Sequence, residues 1–277
     1  MSTASPRPAI AAAADSPPDP RGAGRGQPGP PVDEAAPLPA DPLLLATARV
    51  STFDGPKGLT QASGFFFERD ERLYLVSSRH VFIDEDSQHH PDRLEIELHS
   101  DASNLGASIG LSALLYEDGK ANWRQGEDAG GAIDVAVLRI DRAALPADAA
   151  LAAFTVDDLQ TSTAPLPLGE PVLIPGFPLG FHDALHHLPV VRQGIVASPY
   201  GWRFQGKACF LTDARTHRGI SGAPVVVRTP SRAPLPWRLA GIHSSRLDIG
   251  TRDLQADESL GLNVAWYPDI LLTLTQS

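Results

Sequence analysis

From residue 43 onward the apolar residues come in short runs broken by glycine, proline and Asp/Asn clusters, a spacing that predicts many strands and few helices. Leu43 to Val50 reads as a first strand, Ala62 to Glu68 as a second, and Leu73 to Ser77 as its hairpin partner across the charged turn ERDER. Arg93 to His99 alternates, with Leu94, Ile96 and Leu98 on one face and Glu95 and Glu97 on the other, the mark of a half-buried strand. Glu117 to Gly131 is polar and glycine-rich with no apolar period, and reads as a long loop. It leads into IDVAVLRI, residues 133–140, whose nearly continuous apolar run suits a strand covered on both faces. Residues 141–170, rich in alanine, proline and acids, read as a connector.

A second set follows: Pro171 to Pro178, Val190 to Ala197, Gly201 to Phe204, Ala208 to Thr212, Ala223 to Arg228, Trp237 to His243 and Leu260 to Trp266. After Pro268 the period changes, with Ile270, Leu271 and Leu274 at helical spacing, so a short helix is expected over about 268–275. Two sets of about six strands predict an all-β chain of two packed six-stranded antiparallel β-barrels, the first over about 43–145 and the second over about 168–266.

Composition separates the N-terminal stretch from everything after it. Residues 1–42 hold 11 of the 26 prolines and no aromatic residue, which leaves too little apolar surface to offset ordering entropy, so a disordered tail is expected there. Its alanine run, Ala11 to Ala14, is too short and too soon followed by Asp15 to be a signal-peptide core, and no run is long enough to cross a bilayer, so a cytoplasmic location is the expectation. The net charge of -10 disfavours nucleic acid and anionic membranes as partners. The single cysteine, Cys209 in the apolar run ACFL, excludes an internal disulfide and reads as a buried, inert strand residue.

Candidate chemistry starts at RGISGAPVVV, residues 218–227, a glycine turn that throws Ser221 to the start of an apolar strand. A serine nucleophile needs a base and a stabiliser for the oxyanion its attack creates. Gly219 can adopt angles closed to other residues, which would let its N–H and that of Ser221 point at one spot. His80, just after the strand Leu73 to Ser77, has a side chain whose pKa lies near working pH. Asp134 is a lone carboxylate at the start of an apolar strand; an imidazole Nδ1–H would satisfy it and fix the ring tautomer.

Histidine first, aspartate 54 residues later and serine 87 after that, each in a distinctive local sequence, resembles the chymotrypsin/trypsin-like serine peptidases, with the closest likeness to bacterial trypsin-like peptidase domains and glutamyl endopeptidases. The matching pieces are GFFF at Gly64 to Phe67, SSRHVF around His80, DVAVLRI from Asp134, GFPLG from Gly176, RQGIV from Arg192, TDA at Thr212 to Ala214, and GISGAP around Ser221. The resemblance implies a single peptidase domain over 43–277 acting on protein or peptide substrates without a cofactor or metal. It also implies His80 as base and then acid, Asp134 as its orienter, Ser221 as nucleophile, and the Gly219 and Ser221 N–H groups as the oxyanion hole. The same barrels without catalysis, as a peptide-binding or scaffolding module, are the alternative. One departure is Ile220, where zymogen-activated members carry an aspartate, so activation by N-terminal clipping is not expected.

The resemblance places the specificity pocket among Arg215, Thr216, Gly241, His243 and Ser244. With no acid at Arg215 or beside it, preference for Arg or Lys is disfavoured, and His243 with Thr216 is read as a holder for an acidic substrate side chain, small or apolar residues being the competitor. His182, His186 and His187 include an i, i+4 pair, but in a segment that reads as an inter-strand loop they are expected to be solvated residues, as are His89 and His90 among acids.

Overall fold

The computed structural model describes residues 40–161, 163–229, 235–247 and 260–276. The tail expected over residues 1–42 falls almost wholly outside these. At its end Asp41 accepts from the Leu43 N–H at 2.9 Å and from Trp237 Nε1 at 3.1 Å. Asp41 thereby caps a short helix, α1 (Pro42–Ala46), where a strand was expected from Leu43; proline at the first helical position and the aspartate cap favour the turn.

Strands β1 (Thr47–Asp54), β2 (Lys57–Arg69) and β3 (Arg72–Ser77) form a meander, followed by the single turn α2 (Arg79–Phe82). Then come β4 (Arg93–His99), β5 (Ser108–Leu114), the small hairpin β6 (Tyr116–Glu117) and β7 (Lys120–Ala121), β8 (Trp123–Asp128) and β9 (Gly131–Ile140). Apart from that hairpin they make one sheet in the order β5-β4-β1-β2-β3-β9-β8, with β10 (Phe154–Thr155) parallel to β2. The loop expected over 117–131 is thus mostly strand. Its side chains are largely exposed because β8 lies at a sheet edge, held by backbone pairing with β9 while only Trp123 is buried, so no apolar period marks it.

The second half is a closed six-stranded barrel, β11-β12-β13-β16-β15-β14. Its members are β11 (Pro171–Gly176), β12 (Val190–Val196), β13 (Cys209–Ala214), β14 (Pro224–Arg228), β15 (Trp237–Arg246) and β16 (Leu262–Trp266), and the helix α3 (Ile270–Leu274) follows. Gly201 to Phe204, expected as a strand, is a turn instead. The Tyr267 hydroxyl bridges it, accepting from the Gly201 N–H at 2.8 Å and donating to the Trp202 carbonyl at 2.7 Å, so its backbone is satisfied without a ladder. Cys209 is buried on β13, and burial raises its thiol pKa, as suits an inert strand residue.

The apolar runs are explained by three cores. Phe66, Leu73, Leu75, Ala136 and Leu138 fill the inside of the first sheet, and Val172, Ile174, Phe210, Val225 and Ala265 fill the second barrel. Phe65, Phe67, Tyr74, Val76, Val135 and Val137 point the other way and pack with Val226, Leu239, Ile242 and Trp266 between the two halves. Because successive strand residues face opposite sides, a strand sandwiched between two cores must be apolar at every position. Among the described residues no helix is long and apolar enough to cross a membrane.

Candidate active site

Antiparallel pairing of β3 with β9 brings two of the candidate residues together. Ser77 lies opposite Ala136, so continuing the register past the end of β3 sets Asp134 beside the turn that carries His80. The Asp134 carboxylate takes both available donors of that turn: its Oδ1 accepts from the His80 backbone N–H at 2.9 Å, and its Oδ2 lies 2.8 Å from His80 Nδ1. Ser244 Oγ on β15 donates to the same Oδ2 at 2.5 Å.

These contacts set the electrostatics. Burial disfavours the His80 imidazolium, but the hydrogen bond and charge of Asp134, with a smaller contribution from Asp84, outweigh it and leave the pKa above the ordinary 6.5. Burial likewise opposes ionisation of Asp134, yet its bonds to His80 and Ser244 hold the carboxyl below its usual range. Each shift favours the charged form of its group, so the pair stands as imidazole and carboxylate once the pH is above the raised His80 pKa, with Nδ1–H facing the acid and Nε2 left to accept.

Ser221 sits between two left-handed glycines, Gly219 at φ +91 and Gly222 at φ +85. A Cβ on Gly222 would overlap Ser77 Oγ and Ser63 O, so only glycine lets the turn lie against the first sheet. Three bonds then hold the turn: the Ser63 N–H donates to the Ser221 carbonyl at 3.0 Å, Ser63 Oγ to the Gly219 carbonyl at 2.7 Å, and the Gly222 N–H to the His243 carbonyl at 2.8 Å. The Arg218 carbonyl is drawn to the Leu179 N–H at 2.7 Å. That orientation turns the Gly219 N–H to the opposite side of the same planar peptide, and neither it nor the Ser221 N–H has an acceptor among the described residues.

His80, Ser221, Gly219 and Arg218 line one cleft of about 890 Å³, whose other walls are the β1–β2 hairpin, Leu179 and the segment after α2. No hydrogen bond joins His80 to Ser221 among the described residues, so the cleft brings them together without locking them. His89, expected in a solvated loop, is on the wall of this cleft.

The five residues expected to set specificity are placed differently from one another, and none is on that wall. Arg215 is exposed. Thr216 is buried and its Oγ1 lies 2.5 Å from Asn263 Oδ1. Gly241 faces the Phe210 ring, which a Cβ would meet at 2.8 Å, so it serves the second-barrel core rather than a pocket wall. Ser244, instead of facing substrate, has its hydroxyl engaged by Asp134. His243 is 2 % exposed, and burial, reinforced by the His80 charge, pushes its pKa down to about 3, so it is neutral in the folded chain.

Sequence reasoning missed three serines that build this site, Ser63, Ser77 and Ser78, and gave a fourth, Ser244, to the specificity pocket. Ser63 holds the nucleophile turn, Ser77 Oγ donates to the Ser63 carbonyl at 2.7 Å, Ser78 Oγ to the His243 carbonyl at 3.1 Å, and Ser244 supports Asp134. Ser77 and Ser78 lie at and just past the end of β3 and Ser244 near the end of β15, whereas Ser63 is in the middle of β2, where nothing local marks it.

No curated protein matches the sequence. Among solved structures, the serine endoprotease from Yersinia pestis is similar at a TM-score of 0.51 and 18% identity, over 83% of this chain and 61% of that one. Rv3671c from M. tuberculosis, in an inactive mutant form, aligns at a TM-score of 0.44 and 12% identity, over 86% of this chain and 90% of that one. At 18% identity the likeness to the Yersinia pestis protein bears on the fold alone. The chain thus spans less than two thirds of the length of the Yersinia pestis protein. A family model for the trypsin-like peptidase domain matches residues 62–230, more than half of the 277 residues and a span that includes His80, Asp134 and Ser221, and on that match the chain belongs to the trypsin-like peptidase domain family.

Proposed function

We propose that this chain is a serine endopeptidase in which Ser221 attacks the scissile carbonyl and forms an acyl-enzyme. His80 Nε2 takes the hydroxyl proton and passes it to the leaving amine; Asp134 holds the ring in the Nδ1–H tautomer and stabilises the imidazolium. The tetrahedral oxyanion is received by the Gly219 and Ser221 N–H groups, and water repeats the cycle to release the acid product. The observation that carries this reading is the double engagement of Asp134 by His80, through Nδ1 and through the backbone N–H, beside a serine turn with two N–H groups that have no acceptor among the described residues. The reading does not require a His80–Ser221 hydrogen bond before substrate arrives, because such bonds tighten when substrate fills the cleft. Residues 43–277 would act as one peptidase domain, with the cleft between the first sheet, an eight-stranded sheet where a six-stranded barrel was expected, and the closed barrel.

A fluorophosphonate probe tests it: Ser221 should be labelled and Ser221→Ala should not. An unlabelled wild type would favour the silent peptide-binding module instead. The pH dependence has a definite sign. Neutral His80 is the active form and its pKa is raised, so the labelling rate should climb with pH through a midpoint above 6.5, falling about tenfold per unit on the acid side. A midpoint below 6.5 would remove Asp134 as the tuning group.

For substrate class we infer cleavage after Glu or Asp. A proton on His243 Nδ1 would be a buried donor without an acceptor, so the neutral ring favours Nε2–H, a donor suited to a carboxylate. Arg246 adds positive charge to its surroundings. A peptide library should show acidic residues at the cleaved position, and His243→Gln should lower that preference at least tenfold while leaving probe labelling within a fewfold. Unchanged preference in the variant would leave small or apolar side chains as the better assignment.

A further inference from the structure

The segment between β11 and β12, residues 177–189, carries three histidines that the proposed reaction does not use, and it folds back onto β4. It is fixed there by His99 Nε2, which lies 2.7 Å from the His186 carbonyl. At this junction His182, His187 and Glu97 converge, one ligand-type atom from each lying within 4.8 Å of the others. We propose that these three side chains form a binding site for a divalent transition-metal ion, Zn²⁺ in the first instance, that clips this segment to β4.

Two imidazoles and a carboxylate make a mixed nitrogen and oxygen donor set, which suits Zn²⁺ and disfavours Mg²⁺ or Ca²⁺, whose sites are built from oxygen. Each ligand is already set up for the task. His182 Nδ1 lies 2.7 Å from the Gly180 carbonyl, so the proton sits on Nδ1 and Nε2 presents its lone pair. Metal-binding imidazoles are commonly oriented in this way, with the second ring nitrogen on a backbone carbonyl. His187 Nδ1 is buried and makes no hydrogen bond, although it lies only 2.9 Å from Glu97 Oε1. A cation shared between the two would satisfy both.

Glu97 is held from the far side, its Oε2 taking Arg49 Nη1 at 3.0 Å, with Ser108 Oγ 3.4 Å from Oε1. The Arg49 charge opposes a second cation, so affinity should be micromolar rather than that of a structural Cys site. Bonds of about 2.0–2.1 Å place tetrahedral donors roughly 3.3 Å apart, so the three atoms need only modest side-chain shifts to close on an ion. His187 and Glu97 are each 23% exposed at the side chain, which leaves a path for the ion and room for water to complete its shell. The position has a consequence for the cleft, since the same segment contains Leu179, whose N–H holds the Arg218 carbonyl.

Calorimetric titration of the full chain with Zn²⁺, after chelator treatment and in a non-coordinating buffer, should show one saturable site of micromolar Kd. His182→Gln and His187→Gln should each weaken it at least tenfold, whereas His90→Gln, in another loop, should not change it. Zn²⁺ at about a hundred times its wild-type Kd should raise the wild-type Tm by on the order of 5 °C and the Tm of each weakened variant by about half of that or less. Because the wild-type titration needs no variant to fold, absence of a saturable Zn²⁺ site there overturns the proposal. So does a site whose affinity survives both His182→Gln and His187→Gln.

Discussion

Asparagine in place of Asp134 is expected to lower kcat/KM for peptide hydrolysis by about 10⁴ while the chain still folds. The reason lies in which way the new amide must turn. Asp134 Oδ1 accepts from the His80 backbone N–H, and Oδ2 meets both His80 Nδ1 and the Ser244 hydroxyl. An NH₂ facing the backbone N–H would set donor against donor, and a peptide N–H cannot reverse its role. An NH₂ facing Nδ1 is tolerated, because the ring can move its proton to Nε2 and Ser244 can rotate to accept. The second orientation wins, and Nε2 then carries a proton toward Ser221 and has no lone pair to take another. Steady-state kinetics and fluorophosphonate labelling of Asp134→Asn should fall together, with little change in KM. A loss smaller than tenfold would mean that Asp134 does not set the tautomer.

Gly219→Ala should cost about 10²–10³ in kcat and act through geometry rather than proton transfer. At φ +91 an alanine is strained, and its Cβ would lie 2.5 Å from the Phe177 carbonyl and 2.8 Å from the Leu179 nitrogen, both backbone atoms that cannot rotate aside. The peptide between residues 218 and 219 must shift, which breaks the Leu179 bond to the Arg218 carbonyl and moves the Gly219 N–H off the proposed oxyanion position. The pH midpoint should stay where it is, since His80 and Asp134 are untouched. A variant with wild-type kcat would show that this N–H takes no part.

How much of this was readable in advance depends on the kind of signal. GFFF and IDVAVLRI announced strands covered on both faces, and they are: Phe65 and Val135 pack between the halves, while Phe66 and Ala136 point into the first sheet. Edge strand β8 carried no such signal, because it is held by backbone bonds and its side chains face water. Leu43 failed for the opposite reason. Its apolar run looked like a strand, but the Asp41 cap and Pro42 turn it into a helix, a local effect that overrides hydrophobic pattern.

The sequence by itself determined the all-β class, the order of the three candidate catalytic side chains and the glycines around Ser221, since each of these is a property of residue type and spacing. Tertiary structure alone decided which atoms meet. That Ser244 supports Asp134, that Ser63 bridges the sheet to the nucleophile turn, and that Glu97 joins His182 and His187 all require chain segments 85 or more residues apart to come within a few ångströms. Hydrogen-bond partners are chosen by direction and distance in the packed molecule, and a serine has the same local signature whether it faces water or holds an aspartate in place.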